Sequence, residues 1–444
     1  MTYLKLEDKI ILKFDFEDRY YEILRPELLP FSLRDRLVDT TRCKDKDLSK
    51  VWFNNQDALS KFFYNRSLSV RRENAKYIMN QLGIKQNNDF ETRYKAMMLC
   101  KALSVSDNYW ITDIENEKWS DVDLSKNPLH EVLQQVALFG KSLTITGKLR
   151  SPEITGQGAY AKAWYRENDE LYLFKANSIG GNECEREVSA SHILDCFNVP
   201  HVAYELTTKE GKVVCKCRNM NFKNTSLVDS MEFDMWVSKN GKEVFEEARK
   251  IDSEMFYKTI IIDYLIANSD RHGGNWGFYM NNQTGRIACM HPLFDHNNAF
   301  DNAFMDDLNG GLCQLIPGKS QRESALYAMK HCDFRCTKPV TRDLFLDDKM
   351  YETFMRRACE LGLYKMQKFS IIDRIFYSKR EKYVPIEIKD DNTNEYWKKA
   401  KSLLAFRPDI IDISESPERK PAILPSRLYG RKVKSTDDDL HPGV

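Results

Sequence analysis

Between Ser142 and Cys217 the chain reads as short β-prone runs interrupted by a single helical stretch, and that order leaves little choice of architecture. Residues 142–146 have strand character and lead into a turn-rich stretch over 147–158. Residues 160–165 and 171–176 are two aromatic, β-prone runs around a short polar turn, which is a hairpin pattern. Residues 182–197 then place Glu183, Glu187, Ala190 and Leu194 on one helical stripe. A second hairpin, 201–207 with 212–217, turns through 209–211. Strand, glycine turn, hairpin, helix and hairpin predict an antiparallel sheet with one helix.

The second half is helical around one embedded hairpin. Residues 253–268 show helical spacing through Phe256, Ile260, Tyr264 and Ala267, and 276–280 with 287–293 read as two strands. Helical patterns return over 322–329, 342–363 and 369–376. The chain turns polar and proline-bearing beyond about 379, which predicts a C-terminal extension over 381–444 with a loosely ordered tail. Residues 1–140 read as a mixed, mainly helical region with an early strand over 10–16. Ser69 is an expected N-cap there, and Arg66, Arg71, Arg72 and Lys76 read as a solvated helix face.

Composition excludes several classes. At 444 residues, about three units are expected from roughly 150 residues per domain. Sixty-seven Lys and Arg against 66 Asp and Glu leave a net charge of +1, which gives no strong nucleic-acid signal. The richest apolar stretch, 259–267, is broken by Asp263, so no membrane span is expected, and the N-terminus lacks the pattern of a signal peptide. A cytoplasmic protein is the expectation. The 11 cysteines are odd in number and scattered, and they read as reduced thiols; Cys215 with Cys217 has no second pair at zinc-finger spacing.

The chemistry concentrates in two places. Ile266-Ala-Asn-Ser-Asp-Arg-His-Gly-Gly-Asn-Trp-Gly277 sets Asp270 and Asn275 in a loop after an apolar helix, and Asp295 ends the next hairpin. An Asp, an Asn five residues on and an Asp across a hairpin suit phosphoryl transfer, in which one Asp addresses the acceptor hydroxyl. The Asn and the second Asp supply the oxygen ligands magnesium prefers. Upstream, Thr155-Gly-Gln-Gly-Ala-Tyr-Ala-Lys162 is a turn whose glycines, Gly156 and Gly158, let backbone approach phosphate. Lys175 stands in an apolar strand and needs a partner, for which the following helix offers Glu183 or Glu187.

The stretch from about 143 to 377 resembles the HipA-like kinases, bacterial serine/threonine kinases. The resemblance rests on Gly158-Ala-Tyr-Ala-Lys-Ala-Trp164, Lys175, Glu187-Val-Ser-Ala-Ser191, Asn268-Ser-Asp-Arg-His-Gly-Gly-Asn275 and Leu293-Phe-Asp295. It implies a two-lobed, protein-kinase-like α+β fold: an antiparallel-sheet N-lobe over 141–222, a mostly helical C-lobe over 223–380, and an accessory region over 1–140. It implies ATP and Mg2+ as cofactors, bound between the lobes near 218–225. Asp270 becomes the catalytic aspartate, Asn275 and Asp295 the metal ligands, and Lys175 the phosphate lysine, with Glu187, Gly156, Gly158 and Lys162 completing the nucleotide site. It also implies autophosphorylation at Thr155 or Ser151, a protein substrate, and a small antitoxin-like partner. Two rival readings use the same residues: a metal-dependent hydrolase built on Asp270, His272, Asp295 and His296, and an inactive kinase fold serving as a binding module. The chain has no H-R-D, D-F-G or A-P-E triplet, and its first 140 residues do not match the usual accessory subdomain.

Overall fold

The computed structural model describes residues 1–43, 48–69, 71–82, 90–147, 149–155 and 158–364. Gly156, the expected helix over 369–376 and the extension over 381–444 lie outside them.

The first region opens on a sheet. Strands β1 (Thr2–Leu6), β2 (Lys9–Asp15), β3 (Tyr20–Ile23) and β4 (Tyr109–Thr112) pair antiparallel in the order β3-β2-β1-β4. The sequence showed only the β2 run; β4 is four residues long and buried throughout, so it carries no alternation to read. Helices α1 (Leu48–Arg66), α2 (Ala75–Gln81), α3 (Phe90–Cys100) and α4 (Glu131–Phe139) complete the region. Phe16, just past the end of β2, meets Phe90 and Tyr94 of α3 edge-on, with centroids 4.6 and 5.1 Å apart. Ser69 is not the N-cap. Asn74, in the left-handed region at φ 65°, breaks the helical run just before Ala75, and Ser69 Oγ accepts instead from the Arg71 amide. The basic cluster divides. Arg71 and Lys76 are exposed, whereas Arg66 and Arg72 are buried. Arg66 pairs with Asp107 at 2.7 Å and donates to the Ala102 and Tyr109 carbonyls.

The next sheet is the one the two hairpins predict. Strands β5 (Lys162–Glu167), β6 (Glu170–Ala176), β7 (Tyr204–Lys209) and β8 (Lys212–Arg218) form an antiparallel sheet in the order β5-β6-β8-β7. Its hairpins turn through Asn168-Asp169 and Glu210-Gly211, all four residues at positive φ, which matches the twist of the flanking strands. Helix α5 (Glu183–Cys196) lies against it over a core of Cys184, Val188, Val202, Tyr204, Cys215, Cys217 and Met220. The two neighbouring cysteines are packing residues, and none of the 11 cysteines is in a disulfide. Residues 142–146 are not a strand: no ladder receives them, and the Thr146 carbonyl bonds His130 Nε2 at 2.9 Å.

The remainder is mostly helical. Strands β9 (Thr225–Asp229), β10 (Gly277–Asn281) and β11 (Ile287–Met290) form a small antiparallel sheet, surrounded by α6 (Ser230–Lys239), α7 (Val244–Ile251), α8 (Ser253–Leu265), α9 (Gln321–Ala328) and α10 (Asp348–Glu360). Asp252 caps α8 through the Met255 amide, and nearly all of that helix is buried. The first region packs on this part: the Leu227 amide bonds the Ser106 carbonyl at 2.7 Å, Ser32 donates to Glu232 at 2.9 Å, and Phe31 meets Trp236 at 5.2 Å. Among the described residues no helix is long and apolar enough to cross a membrane.

Replacing Arg66 leaves Asp107 and two carbonyls without their donor in a largely buried setting. Arg66→Met should cost about 3 kcal/mol, read as a lower urea midpoint by fluorescence of the buried Trp110.

Candidate active site

Lys175 sits on β6 directly opposite Lys162 on β5, so both ammonium groups share one face of the sheet. Its Nζ bonds both Glu187 oxygens, at 2.7 and 2.8 Å, and Asp295 Oδ1 at 2.8 Å, and lies 5.0 Å from the Tyr204 ring centroid. The choice left open by the sequence is settled by the turn before α5. Glu183 is used there, accepting the Ser178 amide and hydroxyl, and Glu187 one turn later faces the sheet, fully buried. Burial alone would lower the Lys175 pKa; Asp295 and Glu187 outweigh it and hold the ammonium charged, well above its ordinary value. Burial likewise pushes the Glu187 carboxyl up, against the pull of Lys175. At Asp295 burial is overcome by Lys175, Lys162 and Arg271, which hold it at about 2.

The loop after α8 is built on Arg271. Its guanidinium pairs with Asp263, the buried carboxylate of α8, at 2.9 Å, and donates to the carbonyls of Asn275 and Phe294 at 2.8 and 2.9 Å. One cation thus fixes the loop that carries Asp270 and Asn275 against the segment that carries Asp295. Asn275 spends its amide N–H on the Asp270 carbonyl at 2.8 Å, and Asn298 Nδ2 donates to Asp270 Oδ2 at 2.8 Å. Asp295 is held at φ 59°, a left-handed conformation costly for a residue other than glycine and common where a site over-determines its backbone.

At the glycine turn, Gly158 has φ 97°, and a Cβ there would stand 2.5 Å from Lys162 Nζ, so the lysine folds over the turn. Desolvation lowers the Lys162 ammonium to about 8 despite Asp295, with Arg72 and Lys175 adding repulsion. Ser151 and Thr155 are both buried. Ser151 donates to Glu153, and Thr155 Oγ1 donates to the Leu103 carbonyl at 2.6 Å, so in this conformation neither hydroxyl is open to a phosphoryl donor.

The hydrolase grouping does not assemble. His296 Nδ1 faces Arg271 at 3.1 Å and His272 Nδ1 accepts the Gly274 amide, while His296 is driven well below its ordinary pKa by burial and by Arg271. Among the described residues no three His, Cys, Asp or Glu side chains form a metal-binding group. Asn275 Oδ1 and Asp295 Oδ2 are hard oxygens that suit magnesium once phosphate and water complete its shell. Sequence reasoning missed Asn298, Tyr204 and Arg271. Only Arg271 left a trace, as the unexplained Asp263 in an apolar helix.

The Asp295 carboxyl titrates near 2 in the folded chain against an ordinary 3.8. Its stabilisation is therefore complete above the ordinary value and is lost as pH falls through the folded one. Asp295→Asn should cost about 2 kcal/mol near neutral pH. The gap between the urea midpoints of chain and variant should narrow as the pH is lowered from about 5 to about 3.

A model of the HipA-like kinase family matches residues 163–312, which include Lys175, Glu187, Asp270, Asn275 and Asp295. The chain is 28% identical over 153 residues to the serine/threonine-protein kinase CtkA of Helicobacter pylori, across 29% of this chain and 46% of that relative. Among solved structures, the Helicobacter pylori proinflammatory kinase CtkA aligns with a TM-score of 0.36 and 16% identity, covering 46% of this chain and 92% of its own. HipA of Shewanella oneidensis, solved with HipB and operator DNA, aligns with a TM-score of 0.48 and 13% identity, over 91% of this chain and 96% of its own. The family match runs across the residues that surround Lys175 and Asp270, and over that stretch the chain is similar to the HipA-like kinases.

Proposed function

We propose that this chain is a serine/threonine protein kinase that transfers the γ-phosphoryl group of ATP, with magnesium, to a protein hydroxyl. The observation that carries the reading is the Lys175 ammonium bonded at once to Glu187 of the sheet half and Asp295 of the helical half. An ammonium has three N–H donors, and here all three are spent. A phosphate reaching Lys175 therefore replaces a carboxylate. Asp295, with a side chain 25% exposed against none for Glu187, is the partner able to leave. Released from Lys175, Asp295 would hold a magnesium ion together with Asn275. Magnesium, when bound, neutralises charge on the phosphates. Asp270 accepts the proton of the attacking hydroxyl through the oxygen not held by Asn298. ATP lies between the halves, near residues 218–225, with Lys162 and Gly158 over its phosphates.

The same reading includes a self-modification. A phosphate on Thr155 or Ser151 adds about −1.5 to −2 charges where a hydroxyl now bonds a carbonyl or a carboxylate. The modified loop must leave its seat, and the modified chain is inactive. The protein substrate, a role as a toxin and a small neutralising partner enter through the family alone; labelling a lysate with the chain and labelled ATP identifies the substrate.

Asp270→Ala should abolish phosphoryl transfer from labelled ATP while calorimetry finds Mg-ATP affinity within about three-fold of the parent, since Asp270 addresses the acceptor. Asp295→Ala should lose both turnover and magnesium-dependent affinity. Equal affinity in that variant would remove Asp295 from the metal site. Peptide mass spectrometry after incubation with Mg-ATP should find one added phosphate between Ser151 and Lys162, absent in the Asp270 variant.

A further inference from the structure

Arg72 comes from the first region of the chain, yet its contacts are with the glycine turn. Its guanidinium donates to the Glu153 carbonyl at 3.1 Å, on the near side of the turn, and to the Lys162 carbonyl on the far side. One rigid planar group thus ties the two flanks of the turn. The neighbouring Glu73 amide donates to the Ala159 carbonyl at 2.8 Å, and Thr155 Oγ1 reaches the Leu103 carbonyl. Three separate points of the first region therefore hold Glu153, Thr155, Ala159 and Lys162. The buried Glu153 carboxylate adds a brace, accepting the Trp164 amide at 2.8 Å and the Ser151 hydroxyl.

Neither of the usual roles of a surface arginine applies. Arg72 is 4% exposed, its Nε has no partner, and both hydrogen bonds go to backbone. Glu153 is its charge partner, but only at long range, because the Glu153 carboxylate is engaged elsewhere. Burying a guanidinium this way is costly, and an apolar side chain would fill the space more cheaply if packing were all that was needed. What the arginine supplies is geometry: a fork of donors with fixed spacing.

We propose that Arg72 is a positioning residue for nucleotide phosphates: it fixes the flanking residues Glu153 and Lys162, and so makes the first region part of the nucleotide site. This rests on the kinase reading above. The Lys162 backbone is fixed by Arg72, and its side chain folds over Gly158 opposite Lys175. An unfastened turn would leave the Lys162 ammonium and the turn amides to be ordered at the moment of binding, a cost that falls on affinity. Arg72 touches neither Asp270 nor Asp295, so the chemical step itself should be spared.

Mg-ATP affinity by calorimetry and steady-state kinetics on the full chain test this. Arg72→Met should weaken Mg-ATP binding and raise KM for ATP by about ten-fold with kcat changed less than about two-fold. Arg72→Lys keeps the charge but cannot span both carbonyls, and should fall in between. Thr155→Val, nearly isosteric, removes the Leu103 contact and a weaker one to the Pro152 carbonyl, and should raise KM a few-fold. A purely structural role would lower the melting temperature and leave affinity per folded molecule unchanged. Affinity equal to the parent in folded Arg72→Met overturns the inference and leaves the kinase reading standing. If that variant does not fold, unchanged affinity in both Arg72→Lys and Thr155→Val overturns it. No Mg-ATP binding by the unaltered chain overturns both readings.

Discussion

A buried ammonium must be neutralised, and much of this molecule is arranged around neutralising Lys175. A single carboxylate one helix away would be enough to keep the charge in the strand. The chain supplies two, and the second, Asp295, lies 120 residues further on. That contact brings the sheet that carries Lys175 onto the loop that carries Asp270 and Asn275. The lysine, whose partners are Glu187 and Asp295, acts as an electrostatic hinge pin between two parts that share no strand.

Behind it, Arg271 plays the same part for the helical half. Asp263 and Arg271 form a buried pair inside the core, and the guanidinium's remaining donors reach the backbone of both functional segments. Position there is set through main-chain carbonyls, so Arg271 makes no demand on the side chains of Asp270, Asn275 and Asp295. Asn298 does the last adjustment by holding one oxygen of Asp270. The candidate site is thus held by Lys175 and Arg271, each already neutralised by a carboxylate, so its geometry does not depend on a ligand for stability.

The first region follows the same rule of buried arginines bonded to carbonyls. Arg66 closes its own core by reaching Ala102 and Tyr109, and Arg72, six residues on, reaches out to the glycine turn. Both belong to a basic cluster whose sequence suggests solvent, and in both the charge is dispersed over several oxygens. With Arg72 bonded to the first residue of β5, Ser106 bonded to β9 and Phe31 packed on Trp236, this region touches both the sheet that carries Lys175 and the helical part.

The sequence by itself determined the elements with strong local signals. Both hairpins, α5, α8 and the β10–β11 hairpin were legible because their periodicity and turn residues are contained in runs of fewer than 20 residues. Lys175, Asp270, Asn275 and Asp295 were legible because each is a charged or polar residue at a place where its surroundings make it costly or well spaced. Only the tertiary structure decided the rest. β4 pairs with β1 more than a hundred residues away, so no window contains its reason for existing, and β1 and β3, though they pair with the adjacent β2, are too short to show a clear alternation. Glu187 over Glu183 was decided by Ser178, and the burial of Thr155 by a carbonyl 52 residues away. Arg72 and Asn298 look like ordinary surface residues in the sequence, because what they bind is backbone or a carboxylate brought near only by folding. A hydrogen bond to a distant carbonyl leaves no mark on the composition of the chain that donates it.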